Sequence, residues 1–250
     1  MPAITVSVIN ACSVVTDDEC QTLVAALQKQ VARDFAPVWG IDAKLVFVPA
    51  GGKPDDHTWW LSILDSTDRA GVLGHHDLTP AGLPVGKSFA GTDKHYGHCW
   101  TVTASHELLE MLVDPDINMA VLVHPTPSES KLYAYEVCDA CQDDSFGYDI
   151  DGVMVGDFVY PAYFESFHAA GSTTFDHLGK LQKPAPEVLP GGYISMFDMN
   201  SATGWHPVTA ATLDPSAGRA TIRGRTSSRR ERRRMPRSHW VHSTAFTKQP

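Results

Sequence analysis

An α+β fold, a mixed β-sheet with helices packed on it, is what this 250-residue chain predicts. Three observations carry that expectation. The coarse order of elements up to residue 114 is β-α-β-β-β-β-α. Four or more strands follow one another through short loops, which favours a sheet covered by helices. The hydrophobic content of 43% is ample for a core.

Each element has its own signal. "AITVSVIN" (3–10) is a β-branched strand. "TDDE" (16–19) is a capping-box pattern, with Thr16 as N-cap and Glu19 at the third helical position. A helix follows to about Phe35, with Leu23, Leu27, Val31 and Phe35 four residues apart and Pro37 expected to close it. "KLVFVPA" (44–50) and "WWLSILD" (59–65) read as strands around a Gly- and Asp-bearing loop. "AGVLGHHDL" (70–78) and "VGKSFAG" (85–91) are further strands. A helix spans about 102–114 and ends before Pro115. Beyond it, "KLYAYEVCD" (131–139) alternates like a strand, and "YDIDGVMVGDFVYP" (148–161) reads as a hairpin with an Asp151-Gly152 turn. A proline-rich loop covers 183–190, and "GGYISMFDM" (191–199) is a late strand.

Charge divides the chain in two. The net charge is −9, but residues 219–250 hold ten of the twenty basic residues and one acid, Glu231. The tail therefore carries +9 and residues 1–218 carry −18, two charge regimes in one chain. We expect one α+β domain over 1–213 and a basic, disordered tail over 214–250. "RGRTSSRRERRRMPR" (223–237) lies in that tail. Such a run suits a polyanion or nucleic-acid partner through about 219–237, or a solvated tail folding back on the acidic body. No stretch of about 18 apolar residues predicts a membrane span. The N-terminus shows no basic n-region or small-residue cleavage site, so no signal peptide is expected. Five cysteines do not suggest a disulfide framework in a chain of this size, and a reducing, cytoplasmic compartment follows.

The stretch "TVTASHELLEMLVDP" (101–115) raises the functional question. At 100° per residue with His106 at 0°, Glu110 falls at about 40°, Asp114 at about 80° and Glu107 at about 100°. Leu108, Leu109, Leu112 and Val113 occupy the opposite side. The polar arc holds one imidazole and three carboxylates, and no Lys or Arg occurs between Lys94 and Lys131. Two readings are open. Glu-rich helix faces are often simply solvated, although like charges at i,i+4, such as Glu110 and Asp114, are mildly destabilising. Alternatively, a divalent cation sits there. Residues at i and i+4 share a helix face about 6 Å apart in rise, the spacing by which H-E-x-x-H presents two ligands to zinc with its Glu as general base. "HELLE" is H-E-x-x-E, which assigns His106 and Glu110 as ligands and Glu107 as the catalytic base. Asp114 is two turns from His106 and would not readily share its ion.

"ASHELLEMLVDP" resembles the active-site helix of zincin-type metallopeptidases in the variant where Glu replaces the second His. The order β-α-β-β-β-β-α before it is similar to the zincin upper subdomain. That resemblance implies a zincin-like fold, a zinc or other divalent ion, and a metal-dependent hydrolase acting on a peptide or protein. It also implies an antiparallel edge strand before the helix that binds extended substrate. "GLPVGKSFAGT" (82–92) would be that strand, with Gly86, Lys87 and Ser88 as substrate-binding residues. The third ligand would come from a later carboxylate: Glu136 in "YEVCDAC" first, then Asp139, then Asp116 at the metzincin-like spacing, where Val113 replaces the expected glycine. Tyr133, Tyr135, Tyr148, His124 and His168 are residue types able to stabilise an oxyanion. A longer pattern over 70–200 resembles uncharacterised bacterial and phage-associated proteins. It implies a non-catalytic structural or binding protein, cytoplasmic or virion-associated, as the alternative.

Other motifs are weaker. "CDAC" (138–141) lacks the second pair of a zinc ribbon and reads as two reduced thiols. The acidic loop from Asp139 to Asp151 lacks EF-hand spacing. "ESFH" (165–168) lacks the helical partners of a di-iron site. His75 and His76 read as a loop pair, with substrate contact as the alternative.

Overall fold

A computed structural model describes residues 4–68, 71–165, 168–169, 171–201 and 203–213. The expected basic tail over 214–250 lies outside them. Among the described residues the fold is α+β, as expected. It contains a five-stranded mixed sheet, a four-stranded antiparallel sheet and a short hairpin.

The larger sheet is built from β1 (Ile4–Ala11), β2 (Ala43–Val48), β3 (Trp59–Leu64), β4 (Gly74–Leu78) and β5 (Pro84–Ser88), in the order β2-β1-β3-β5-β4. β2, β1, β3 and β5 run parallel, and β4 is antiparallel to β5. β1 is covered on both faces, with Val6–Asn10 all buried, including the polar Ser7 and Asn10. The order corrects one expectation. β5 is not an edge strand: it lies between β3 and β4, and β4 is the antiparallel edge. Strands β4 and β5 have similar short apolar-polar sequences, so sequence adjacency to the helix did not reveal which one lies outermost.

α1 (Asp17–Lys29) starts as expected. Thr16 Oγ1 accepts from the Glu19 N–H at 3.2 Å, and the Glu19 carboxylate accepts from the Thr16 N–H at 2.7 Å. Its end differs. A widened, π-helical turn (Gln30–Phe35) leads into α2 (Ala36–Trp39), and Gly40, with φ +68°, closes the run. Pro37 sits in the first turn of α2 instead of ending α1, where a missing N–H is tolerated.

α3 (Ala90–Tyr96), a short helix with no clear sequence signal, precedes α4 (Trp100–Val113). α4 lies across β4 and β5, and the glycines of those strands allow it close. A Cβ on Gly86 would lie 3.0 Å from Leu61 and 3.5 Å from the Glu107 carbonyl. After α4, the Asp114 carboxylate accepts from the Asn118 and Met119 N–H groups at 2.8 and 3.1 Å and shapes the turn. The second sheet then forms from β6 (Ala120–Thr126), β7 (Glu129–Ala134), β10 (Tyr193–Asp198) and β11 (Trp205–Thr209), in the order β11-β10-β7-β6. β6 and β11 carried no expectation. The hairpin of β8 (Tyr148–Ile150) and β9 (Val153–Val155) turns at Asp151 and Gly152, both with positive φ, as the sequence indicated. No described helix is long and apolar enough to cross a membrane.

A buried polar knot ties these parts together behind α4. Gln30, in the π turn, donates to the Gly156 carbonyl at 2.9 Å and accepts from Ser105 Oγ at 2.7 Å, while the Gly156 N–H donates to Ser105 Oγ at 3.1 Å. Beside it, the buried acids Asp157 and Asp176 hold neighbouring loops. Asp157 accepts from the Phe158 and Leu178 N–H groups, and Asp176 from those of Lys180 and Leu181. Burial, and then the adjacent Asp176 carboxyl, push Asp157 from 3.8 up to about 8. The folded chain therefore binds a proton there that the unfolded chain has lost between pH about 4 and 8. This contribution to stability is full below the unfolded value and is lost as pH rises through the folded one. The urea midpoint should fall between pH 5 and pH 9, and Asp157→Asn should flatten that fall. An equally steep fall in the variant would show that the pair does not cause it.

Candidate metal centre

α4 places His106, Glu107 and Glu110 on one side, as its 3.6-residue period requires. That side is not solvated. Glu107 and Glu110 are 5% and 4% exposed, and Asp114 is also buried. The structure therefore overturns the solvated-face reading. It does so because α4 is enclosed on both sides, by the sheet and by the segment that follows β7.

Two elements close on the polar side of α4. The segment after β7 turns through Glu136 and enters a tight 3₁₀ turn at Asp139–Cys141. The Cys138 N–H donates to Glu110 Oε1 at 3.3 Å, which fixes one oxygen of that carboxylate. The other, Oε2, lies 3.3 Å from His106 Nε2. Asp139 Oδ1 lies 3.4 Å from the same nitrogen. From the opposite side, β4 brings His76, whose Nδ1 is 3.6 Å from Glu107 Oε2 and 3.7 Å from Glu110 Oε2.

These contacts resolve into two sets of three residues whose donor atoms all fall within 4.8 Å: His106, Glu110 and Asp139, and His76, Glu110 and Glu136. The residues suit a divalent ion. Donors about 2.0–2.1 Å from a tetrahedral ion stand about 3.3–3.4 Å apart. The His106–Glu110 and His106–Asp139 separations match that edge. Electrostatics agree. Burial alone would lower the His106 pKa, but the Glu110, Asp139 and Glu107 carboxylates reverse this and hold it well above the ordinary value. The pocket favours positive charge strongly enough to overcome desolvation.

Of the sequence-predicted residues, His106, Glu107, Glu110, Glu136 and Asp139 converge. Asp116 does not: it lies in the exposed turn after α4, outside both sets. Gly86, Lys87 and Ser88 are committed to scaffolding. Gly86 sits beneath α4, Lys87 Nζ pairs with Asp68 at 3.1 Å, and Ser88 Oγ donates to the Trp100 carbonyl at 3.4 Å. All three are buried on an inner strand, which corrects their placement on an exposed substrate strand. Two residues were missed. His76, read at most as a substrate contact, lies in β4 within the strand expected over 70–78 and faces the carboxylates of α4. Tyr193, at the start of β10, hydrogen-bonds Asp139, and burial followed by the nearby Asp139, Glu110 and Glu136 charges holds its phenol well above the ordinary range. Of the five oxyanion candidates, Tyr148 bonds Asp34, His124 meets Ser130, Tyr135 packs on Trp39 and Phe164, and His168 packs on Phe175. Tyr133 is buried in β7. The "HH" pair had no helical spacing to tie it to α4, and Tyr193 is 54 residues beyond Asp139, so neither had a local signal.

Two glycines shape the centre. A Cβ on Gly74 would meet Glu107 Oε1 at 2.6 Å and Cγ at 2.7 Å, so Gly74 leaves the space that Glu107 fills. A Cβ on Gly192 would lie 2.3 Å from the Ala140 carbonyl oxygen and 3.0 Å from that of Asp139.

Comparison with known protein families, curated proteins and solved structures returned no match for this chain.

A cation that binds only the folded chain stabilises it, by about 2.7 kcal/mol at one hundred times its Kd. Zn²⁺ or Mn²⁺ should therefore raise the thermal midpoint of the wild type more than that of His106→Ala; equal shifts in both would place the ion elsewhere. Gly192→Ala must push back the backbone that carries Asp139. It should cost about 1–3 kcal/mol in urea unfolding and also reduce metal content. An unchanged metal content would show that this turn does not set the centre.

Proposed function

We propose that the chain is a metal-dependent hydrolase, with peptides as the first substrate class to test. The observation that carries this reading is the convergence of His106, Glu110 and Asp139, with His106 3.3 and 3.4 Å from the two carboxylates and Glu107 adjacent on the same helix.

A divalent ion in this centre would acidify a bound water and polarise a substrate carbonyl. The remaining work falls to the chain. His106, Glu110 and Asp139 hold the charge, with the Glu110 carboxylate oriented by the Cys138 N–H and Asp139 by the Tyr193 hydroxyl. Glu107, seated over Gly74, accepts the water proton and returns it to the leaving group. A set with two carboxylates is harder than one with two imidazoles, so Mn²⁺ is an alternative to zinc. Peptide is the first class to test because the α4 motif resembles that of zincin-type metallopeptidases; β4, which carries His76, is the antiparallel edge of the sheet but is buried from Gly74 to Asp77.

Glu107→Gln separates catalysis from a structural ion. The variant should retain its metal and lose turnover of a mixed peptide library by about 10²–10⁴-fold. Undiminished turnover would remove Glu107 as the base. A wild type that binds metal and cleaves no peptide would leave the ion a structural role.

A further inference from the structure

We infer that the centre holds two metal ions with Glu110 between them, an inference that rests on the metal reading above. Glu110 belongs to both sets of converging donors, whereas His106 and Asp139 belong to one and His76 and Glu136 to the other. The two imidazoles approach the same atom, Glu110 Oε2, at 3.3 Å and 3.7 Å. The other oxygen, Oε1, is engaged by the Cys138 N–H. Glu110 Oε2 is thus the bridging atom.

Reach favours two positions over one. An ion about 2.1 Å from a histidine nitrogen spans at most about 4.2 Å between two such nitrogens, even when they are opposite each other. The donor atoms of each set lie within 4.8 Å of one another, and the two imidazoles fall in different sets. A single ion at either position would leave the other imidazole and its carboxylate outside its shell. Paired ions in hydrolytic centres stand about 3.5–4 Å apart, a separation that one shared carboxylate spans.

Charge points the same way. Glu107, Glu110, Glu136 and Asp139 are all buried around two imidazoles, an anionic surplus that suits divalent ions. The ligands are also divided in chemistry as in space: each position has one imidazole, one carboxylate of its own and a share of Glu110. The second position recruits β4, so the edge strand is itself part of the centre.

The test is Mn²⁺ binding by the full chain. Equilibrium dialysis followed by elemental mass spectrometry gives the stoichiometry, and low-temperature electron paramagnetic resonance shows whether the ions are coupled. The wild type should bind about two Mn²⁺ per chain with an exchange-coupled spectrum. His76→Gln and Glu136→Gln should each bind about one, with the six-line spectrum of an isolated ion. One uncoupled ion in the wild type, lost in His106→Ala and kept in His76→Gln, would overturn the pair while leaving the single-ion reading intact. Two uncoupled ions unaffected by His76→Gln would place the second elsewhere and also overturn the pair. No bound ion would overturn both readings. If the variants fail to fold by circular dichroism, the coupling in the wild-type spectrum decides the question alone.

Discussion

Removing Glu107 and Glu110 from water is the constraint on which the rest of this structure depends. A buried carboxylate is tolerated only when charge or hydrogen bonds replace its hydration. Here the replacements come from widely separated parts of the chain. His106 is on the same helix, His76 on the edge strand and the Cys138 N–H on the turn after β7. Asp139 and Glu136 add negative charge to the same place and complete two groups able to hold a metal ion. The raised pKa of His106 expresses the same field.

Such a site needs a frame that does not relax, since carboxylates free to move would separate. The Gln30–Ser105–Gly156 knot holds α4 from behind, one residue before His106. The interruption of the first helix by a π turn places Gln30 in that knot, and π turns are often kept where a side chain must be re-aimed. In front, Gly74, Gly86 and Gly192 allow backbone and side chains to approach more closely than a Cβ would permit. The frame and the site are therefore one set of contacts, and both sheets contribute to it.

Legibility followed the range of the physical signal. The capping box at Thr16, the Asp151-Gly152 turn and the amphipathic period of α4 depend on neighbours within a few residues, and the structure bears each of them out. His106 and Glu110 were legible for the same reason, since helical geometry alone puts them side by side. Glu136 and Asp139 were legible as types, carboxylates shortly downstream, but their convergence on Glu110 depends on the turn that follows β7. His76 was not legible. Its partners are 31 and 34 residues away, and only strand order brings them together. The reading of β5 as the edge failed on that same property.

The sequence by itself determined the local elements, the α+β class and the pairing of His106 with Glu110 on one helix face. It did so because backbone hydrogen bonding and side-chain periodicity act over a few residues. Tertiary structure alone decided that the polar arc is buried, that β4 is the edge, that His76 and Tyr193 belong to the centre, and that Gly86, Lys87 and Ser88 support the scaffold. Those outcomes depend on which surfaces meet, and that is set by burial and charge summed over the whole chain.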